Sequence, residues 1–177
     1  MDVDSRVELL RSALPLQELG EWPALPATGA LVSFAGLTRT PGLRGRAVER
    51  LEFEAYEPMA RRVLLRLCRE AQARAGGALA RVLVAHRVGA VPVGEASLLV
   101  CVSSPHRAEA LAAVPWLVDM IKAHAPVWKK EVYADGGGEW VAGCVAGGGG
   151  GHAAGGGHAG ACAREAEGAE HGVGGGR

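Results

Sequence analysis

The stretch ARVLVAHRVGAVPVGEASLLVCVSS, Ala80 to Ser104, decides the fold. Two apolar runs, ARVLVAHRVG and EASLLVCVSS, flank the turn-forming AVPVG. Short apolar runs bounded by Gly and Pro read as strands, and so brief a connection makes them neighbours. Moving toward the N-terminus, EPMARRVLLRLCREAQARA is an amphipathic helix. Pro58 suits its first turn, Ala60, Val63, Leu64, Leu67, Cys68 and Ala71 form its apolar face, and Gly76 and Gly77 end it. Before it, AVERLEFEAY alternates as a half-exposed strand with a slip near Arg50. GALVSFAGLTR reads as a strand, TPGLRGR as a mobile basic loop, and ELLRSALPLQELGEW as helical turns broken by Pro15. Toward the C-terminus, HRAEALAAVPWLVDMIKAHA is a second helix, starting near Ser104 or Pro105 and expected to kink at Pro115. VWKKEVY follows as a strand, ADGGGE as a turn and WV as a closing strand. The order β-β-α-β-β-α-β predicts an α+β domain with a largely antiparallel sheet and two main helices.

The chain has 177 residues, 49% of them apolar, enough for one domain with a real core. Its formal net charge is zero, so no global field draws it to nucleic acid or an anionic membrane. The acidic start MDVDSRVELL lacks the order of a signal peptide, and no apolar run is long enough for a bilayer. A soluble, cytoplasmic protein is the expectation. The four cysteines form no Cys-x-x-Cys pair, and Cys68 and Cys101 read as buried free thiols. Composition changes after Val141: residues 142–177 hold 15 of the 27 glycines. Residues 1–141 are thus expected to be the folded domain, and residues 142–177 a flexible Gly-rich tail. His152, His158, His171, Cys144 and Cys162 in that tail lack a folded frame, so an inert linker is preferred to a metal site.

Chemistry concentrates in basic residues. Lys122, Lys129 and Lys130 are the only lysines in a chain that otherwise uses arginine. Lys122 ends the second helix at the edge of its apolar face, where partial desolvation would make its amine a usable base or nucleophile; complementing the helix C-terminus is the plainer role. Lys129 and Lys130, adjacent in a strand, point to opposite faces, and spacing alone does not choose between them. His106 and Arg107 open the second helix, where unpaired N–H groups favour an anion, although a simple cap with a solvated arginine fits the same residues. With Arg39, the TPGLRGR loop and His86-Arg87, they form basic spots that could converge.

FAGLTR, LEFEAYEPMA, VAHRVGAVPVGEASLLVCVSSPHRAEA and IKAHAPVWKKE resemble the MoaE family, the large catalytic subunits of molybdopterin synthase. The similarity runs from about Gly29 to Val141, with several motifs in order. It implies an α/β-hammerhead fold and a sulfurtransferase. It also implies a homodimer of large subunits within a heterotetramer. Each large subunit would bind a small ubiquitin-like subunit ending in a Gly-Gly thiocarboxylate. That sulfur would be used twice to convert cyclic pyranopterin monophosphate into the molybdopterin dithiolene, in molybdenum cofactor biosynthesis. The resemblance implies no metal or redox cofactor. It places Lys122 and Lys129 in catalysis, and Arg39, His106, Arg107, Lys122 and Lys129 in substrate binding. Lys130 falls where the family accepts arginine. Pro115, the replaced segment after WV and the arginine-rich loop depart from the family pattern. They leave an alternative: a non-catalytic module that keeps the small-subunit interface.

Overall fold

A computed structural model describes residues 4–42 and 45–141. The expected tail and its histidines and cysteines lie outside the described residues. Eight strands and three helices follow in order. They are β1 (Asp4–Leu10), α1 (Leu16–Glu21), β2 (Ala30–Leu37), β3 (Val48–Ala55), α2 (Glu57–Arg74) and β4 (Arg81–Arg87). β5 (Gly89–Pro92), β6 (Ala96–Ser104), α3 (Arg107–His124), β7 (Val127–Tyr133) and β8 (Gly138–Val141) complete the elements of the described residues. They build two four-stranded sheets, β1-β4-β6-β2 and β5-β3-β7-β8. Every pairing is antiparallel except β1 with β4.

The opening stretch supplies the centre of the first sheet. β4 and β6 pair antiparallel from Arg81↔Ser103 to His86↔Leu98. Alternate side chains of these strands enter different cores. Val82, Val84, Val100 and Val102 meet Leu64, Leu67, Leu117 and Ile121 of α2 and α3. Leu83, Ala85, Leu99 and Cys101 meet Leu14 and Leu19 around α1. A strand covered on both faces needs no polar side, which explains the unbroken apolar runs. The AVPVG segment is more than a turn. Gly89, at φ +92°, bends the chain out of the first sheet, and β5 pairs with β3 in the second.

α2 follows its sequence pattern, with Ala60, Leu64, Leu67, Cys68 and Ala71 buried and Val63 at the boundary. Gly76 and Gly77 take positive φ, their N–H groups donating to the Ala73 and Gln72 carbonyls, which closes the helix in a Schellman motif. The slip near Arg50 is a register shift between Val48 and Arg50. Cys68 and Cys101 are buried free thiols, and burial pushes the Cys68 thiol up to about 12.

One expectation fails. Residues 4–10 form a strand, not helical turns, because β4 offers a parallel partner and a face for Val7. Arg61 of α2 adds a donor to the Val7 carbonyl at 2.6 Å. Helix begins only at Leu16, after Pro15. α3 is helical from Arg107 to His124 with Pro115 inside it. Pro115 and Leu111 are both exposed, so the Leu111 carbonyl, which has no N–H partner from Pro115, is open to solvent.

Candidate active site

The two ends of α3 organise the predicted residues. β6 leads into the helix through Pro105 and His106, and α3 packs back over β6 and β2. His106 is extended, at φ −125° and ψ 149°, and its side chain makes no cap bond. The Ser104 hydroxyl donates to the His106 carbonyl, and the Gly29 N–H donates to the Ser104 carbonyl at 3.1 Å. Gly29 lies so close that an added Cβ would stand 2.5 Å from the Pro105 oxygen. This corner leaves His106 and Arg107 exposed, beside first-turn N–H groups that no side chain caps. The arrangement is a fork of donors on the positive end of a helix dipole, suited to an oxyanion.

Lys122 lies in the last turn at the opposite end. It is exposed, so this chain alone does not supply the expected partial desolvation. Fifteen positions at the helical rise put it roughly 22 Å from Arg107 along the axis. Arg39 belongs to the Lys122 end. It follows the last residues of β2, which run beside the N-terminal end of β6 through Leu37↔Ala96. The chain turns at Ala125 and Pro126 into β7, and the Tyr56 N–H donates to the Pro126 carbonyl at 3.2 Å, fixing this turn against the start of α2.

β7 then separates the lysine pair. Lys129 stands opposite Phe53 of β3, and Lys130 opposite Glu52 and Trp140. Lys129 shares its face with Glu131 and Tyr133, both buried; Lys130 shares the other with Trp128 and Trp140, each 54% exposed. The Lys130 Cε lies against Gly138 of β8. Lys122, Lys129 and Arg39 are thus at one end of the domain, and His106 and Arg107 at the other. His86 and Arg87 join neither. His86 is buried against the Phe53 ring at 5.0 Å, and its Nδ1–H donates to the Arg87 carbonyl at 2.8 Å. Desolvation holds its pKa below the ordinary value, so the ring is a neutral core group. Arg87 is paired with Glu95.

Glu131 was not among the candidate site residues, and Arg46 was one only as the end of the TPGLRGR loop. Glu131, 4% exposed, occupies a position in the alternation Val127, Lys129, Glu131, Tyr133 that an apolar residue would be expected to fill. A carboxylate on the buried parity of a strand is the signal that could have marked it. The Tyr133 hydroxyl donates to Glu131 Oε2 at 3.3 Å. Burial first, then the carboxylates of Glu139 and Glu131, hold the Tyr133 phenol above its usual range, so it stays a donor. A separate hollow of about 590 Å³ between α2 and α3 is lined by Arg74, Glu109 and Trp116, and includes no predicted site residue.

Comparison with known proteins identifies the family. Residues 10–124 match the family model described as MoaE protein. A molybdopterin synthase catalytic subunit of Oryza sativa subsp. indica is 51% identical over 110 residues, 62% of this chain and 55% of the relative. The chain thus spans little more than half the length of that relative. The crystal structure of molybdopterin synthase from Staphylococcus aureus superposes with a TM-score of 0.71 at 31% identity, covering 76% of this chain and 96% of that one. A Helicobacter pylori complex of subunits 1 and 2 of molybdopterin-converting factor shares the fold, with a TM-score of 0.62 at 22% identity over 76% of this chain and 88% of that one. Among the described residues no helix is long and apolar enough to cross a membrane. With the family pattern covering the core of the domain and a solved structure agreeing through nearly its whole length, the chain belongs to the MoaE family.

Proposed function

We propose that this chain is the catalytic subunit of a molybdopterin synthase. It moves sulfur from the C-terminal thiocarboxylate of a small ubiquitin-like partner to cyclic pyranopterin monophosphate, forming the dithiolene. The observation that carries this reading is the placement of Arg39, His106, Arg107, Lys122 and Lys129. In a chain that belongs to the MoaE family, all five stand near the two ends of one helix. Arginines and a free helix N-terminus suit the cyclic phosphate. Release of sulfur from an acyl donor develops an oxyanion and moves protons, and an amine serves both needs.

Lys122 is proposed as the acyl-proximal, proton-handling residue, and Lys129 as the amine holding the pterin or the developing charge. The exposure of Lys122 fits a site that the small partner covers, desolvating the amine on binding. One substrate cannot touch both ends of α3 in a single chain, since about 22 Å separates Arg107 from Lys122. In the proposed homodimer, His106 and Arg107 of one copy complete the site holding Arg39, Lys122 and Lys129 of the other.

The test is reconstitution. The purified chain, thiocarboxylated small subunit and cyclic pyranopterin monophosphate should yield the dithiolene product. Lys122→Ala should lower turnover by about a hundredfold, the lower range for loss of a general acid–base group. Failure of the wild-type chain to form product with a competent partner would remove the reading.

A further inference from the structure

The described ends of the loop after β2 meet β3 and β7 on the leading side, and Tyr133 of β7 with the turn into β8 on the trailing side. At the leading end, the Val48 N–H donates to Thr40 Oγ1 at 3.2 Å. Gly42 presses on Glu131, and a Cβ added there would lie 2.5 Å from Glu131 Oε2 and 2.4 Å from Val48. Only a residue without a side chain lets the loop lie this close to the buried carboxylate. At the trailing end, Arg46 makes several contacts at once. Its guanidinium stacks on the Tyr133 ring at 3.7 Å. It pairs with Asp135 at 2.7 Å and reaches Glu139 at 4.0 Å. A further N–H donates to the Gly136 carbonyl at 3.4 Å. The two ends are joined by the Gly42 N–H donating to the Arg46 carbonyl at 3.0 Å. Arg39 opens this same segment and donates to the Pro41 carbonyl at 3.4 Å.

We propose that Arg46 is a positioning residue, which locks the Arg39-bearing segment onto β7 and so fixes the Arg39 guanidinium relative to the Lys129 amine. The inference rests on the sulfur-transfer reading for its purpose, but not for its geometry. Glu131 and Tyr133 are two and four positions beyond Lys129 on the same strand face, so a segment held at both is held in register with Lys129. Arginine suits this task because one planar group stacks and donates in plane together; lysine offers a single charged point. Tyr133 remains the neutral platform, its hydroxyl committed to Glu131.

The experiment compares wild type, Arg46→Ala and Arg46→Lys by two measurements. The first is amide hydrogen exchange at Gly42 and Val48, followed by NMR. A cation–π contact and its ion pairs set the docked population, so Arg46→Ala should raise exchange at both amides by about tenfold. Exchange at Val100 in β6 should not change, and Arg46→Lys should fall between. The second is steady-state kinetics with thiocarboxylated partner. KM for the cyclic monophosphate should rise by about tenfold in Arg46→Ala with kcat held within about twofold, the pattern of lost substrate binding. A merely structural role would instead move Val100 exchange and overall stability. Wild-type exchange at Gly42 and Val48, or a wild-type KM, in Arg46→Ala overturns the proposal. If the wild-type chain itself makes no product, the sulfur-transfer reading fails, and the exchange data alone decide whether Arg46 sets the segment.

Discussion

At the scale of single residues, burial decides which titratable groups the domain spends on structure. His86 lies against Phe53, the cross-strand neighbour of Lys129, and stays neutral because its charged form is desolvated. In the unfolded chain it titrates near its ordinary value of about 6.5, while the folded value is lower. Below that pH the unfolded state binds the extra proton, so the folded state loses stability as pH falls toward the lowered value. His86→Gln should flatten this dependence. Urea midpoints at pH 7.5 and 5.5 would then differ less for the variant than for wild type; an equal difference would assign the acid sensitivity to other groups. Strand alternation was enough to send Lys129 and Lys130 to opposite faces. It was not enough to say which face is buried, since that depends on β3, whose Phe53 and Glu52 stand opposite them. Nor did the alternation around His86 reveal that its imidazole is sealed between sheets, because a basic pair reads alike whether it meets water or a ring.

At the scale of elements, what was legible depended on how local the cause is. α2 was legible to the residue, since its apolar stripe, its first-turn proline and its Gly-Gly exit all act within a turn or two. α3 accommodates Pro115 because a proline's effect depends on the surface it faces. Pro115 sits on the exposed side, where solvent can reach the carbonyl it frees. Its cost remains: Pro115→Ala should raise stability by about 2 kcal/mol, the helix-interior difference less the entropy that proline removes from the unfolded chain. Chemical denaturation measures it, and a variant less stable than wild type would mean that the ring itself is a packing element. β5 was hidden inside a turn-like sequence, because four residues carry too little pattern, and only β3 beside them makes a strand.

For the whole molecule, the separation of Arg107 from Lys122 turns the proposed site into a question of copies. Arg107→Ala and Lys122→Ala chains, each strongly impaired alone, should complement when co-expressed. In a hybrid dimer one site keeps both native residues and the other loses both. With random pairing about a quarter of wild-type product formation should return. No recovery in a purified hybrid would place the whole site within one chain and remove the composite arrangement. No single-sequence pattern could show this, because a motif such as SSPHRAEA followed by IKAHAPVWKKE presents as one cluster what a helix holds apart.

The parallel pairing of β1 with β4 has a consequence for how the protein is made. β1 is made before β4, and Asp4 finds its partner Arg81 at a separation of 77 positions. Contacts of such long separation are costly to close and form late. During synthesis β1 is therefore a strand in waiting, with Val7 uncovered until β4 and α2 have emerged. β1 is made early yet locked late, and the nascent chain is most vulnerable to mispairing while this strand has nothing to lie against.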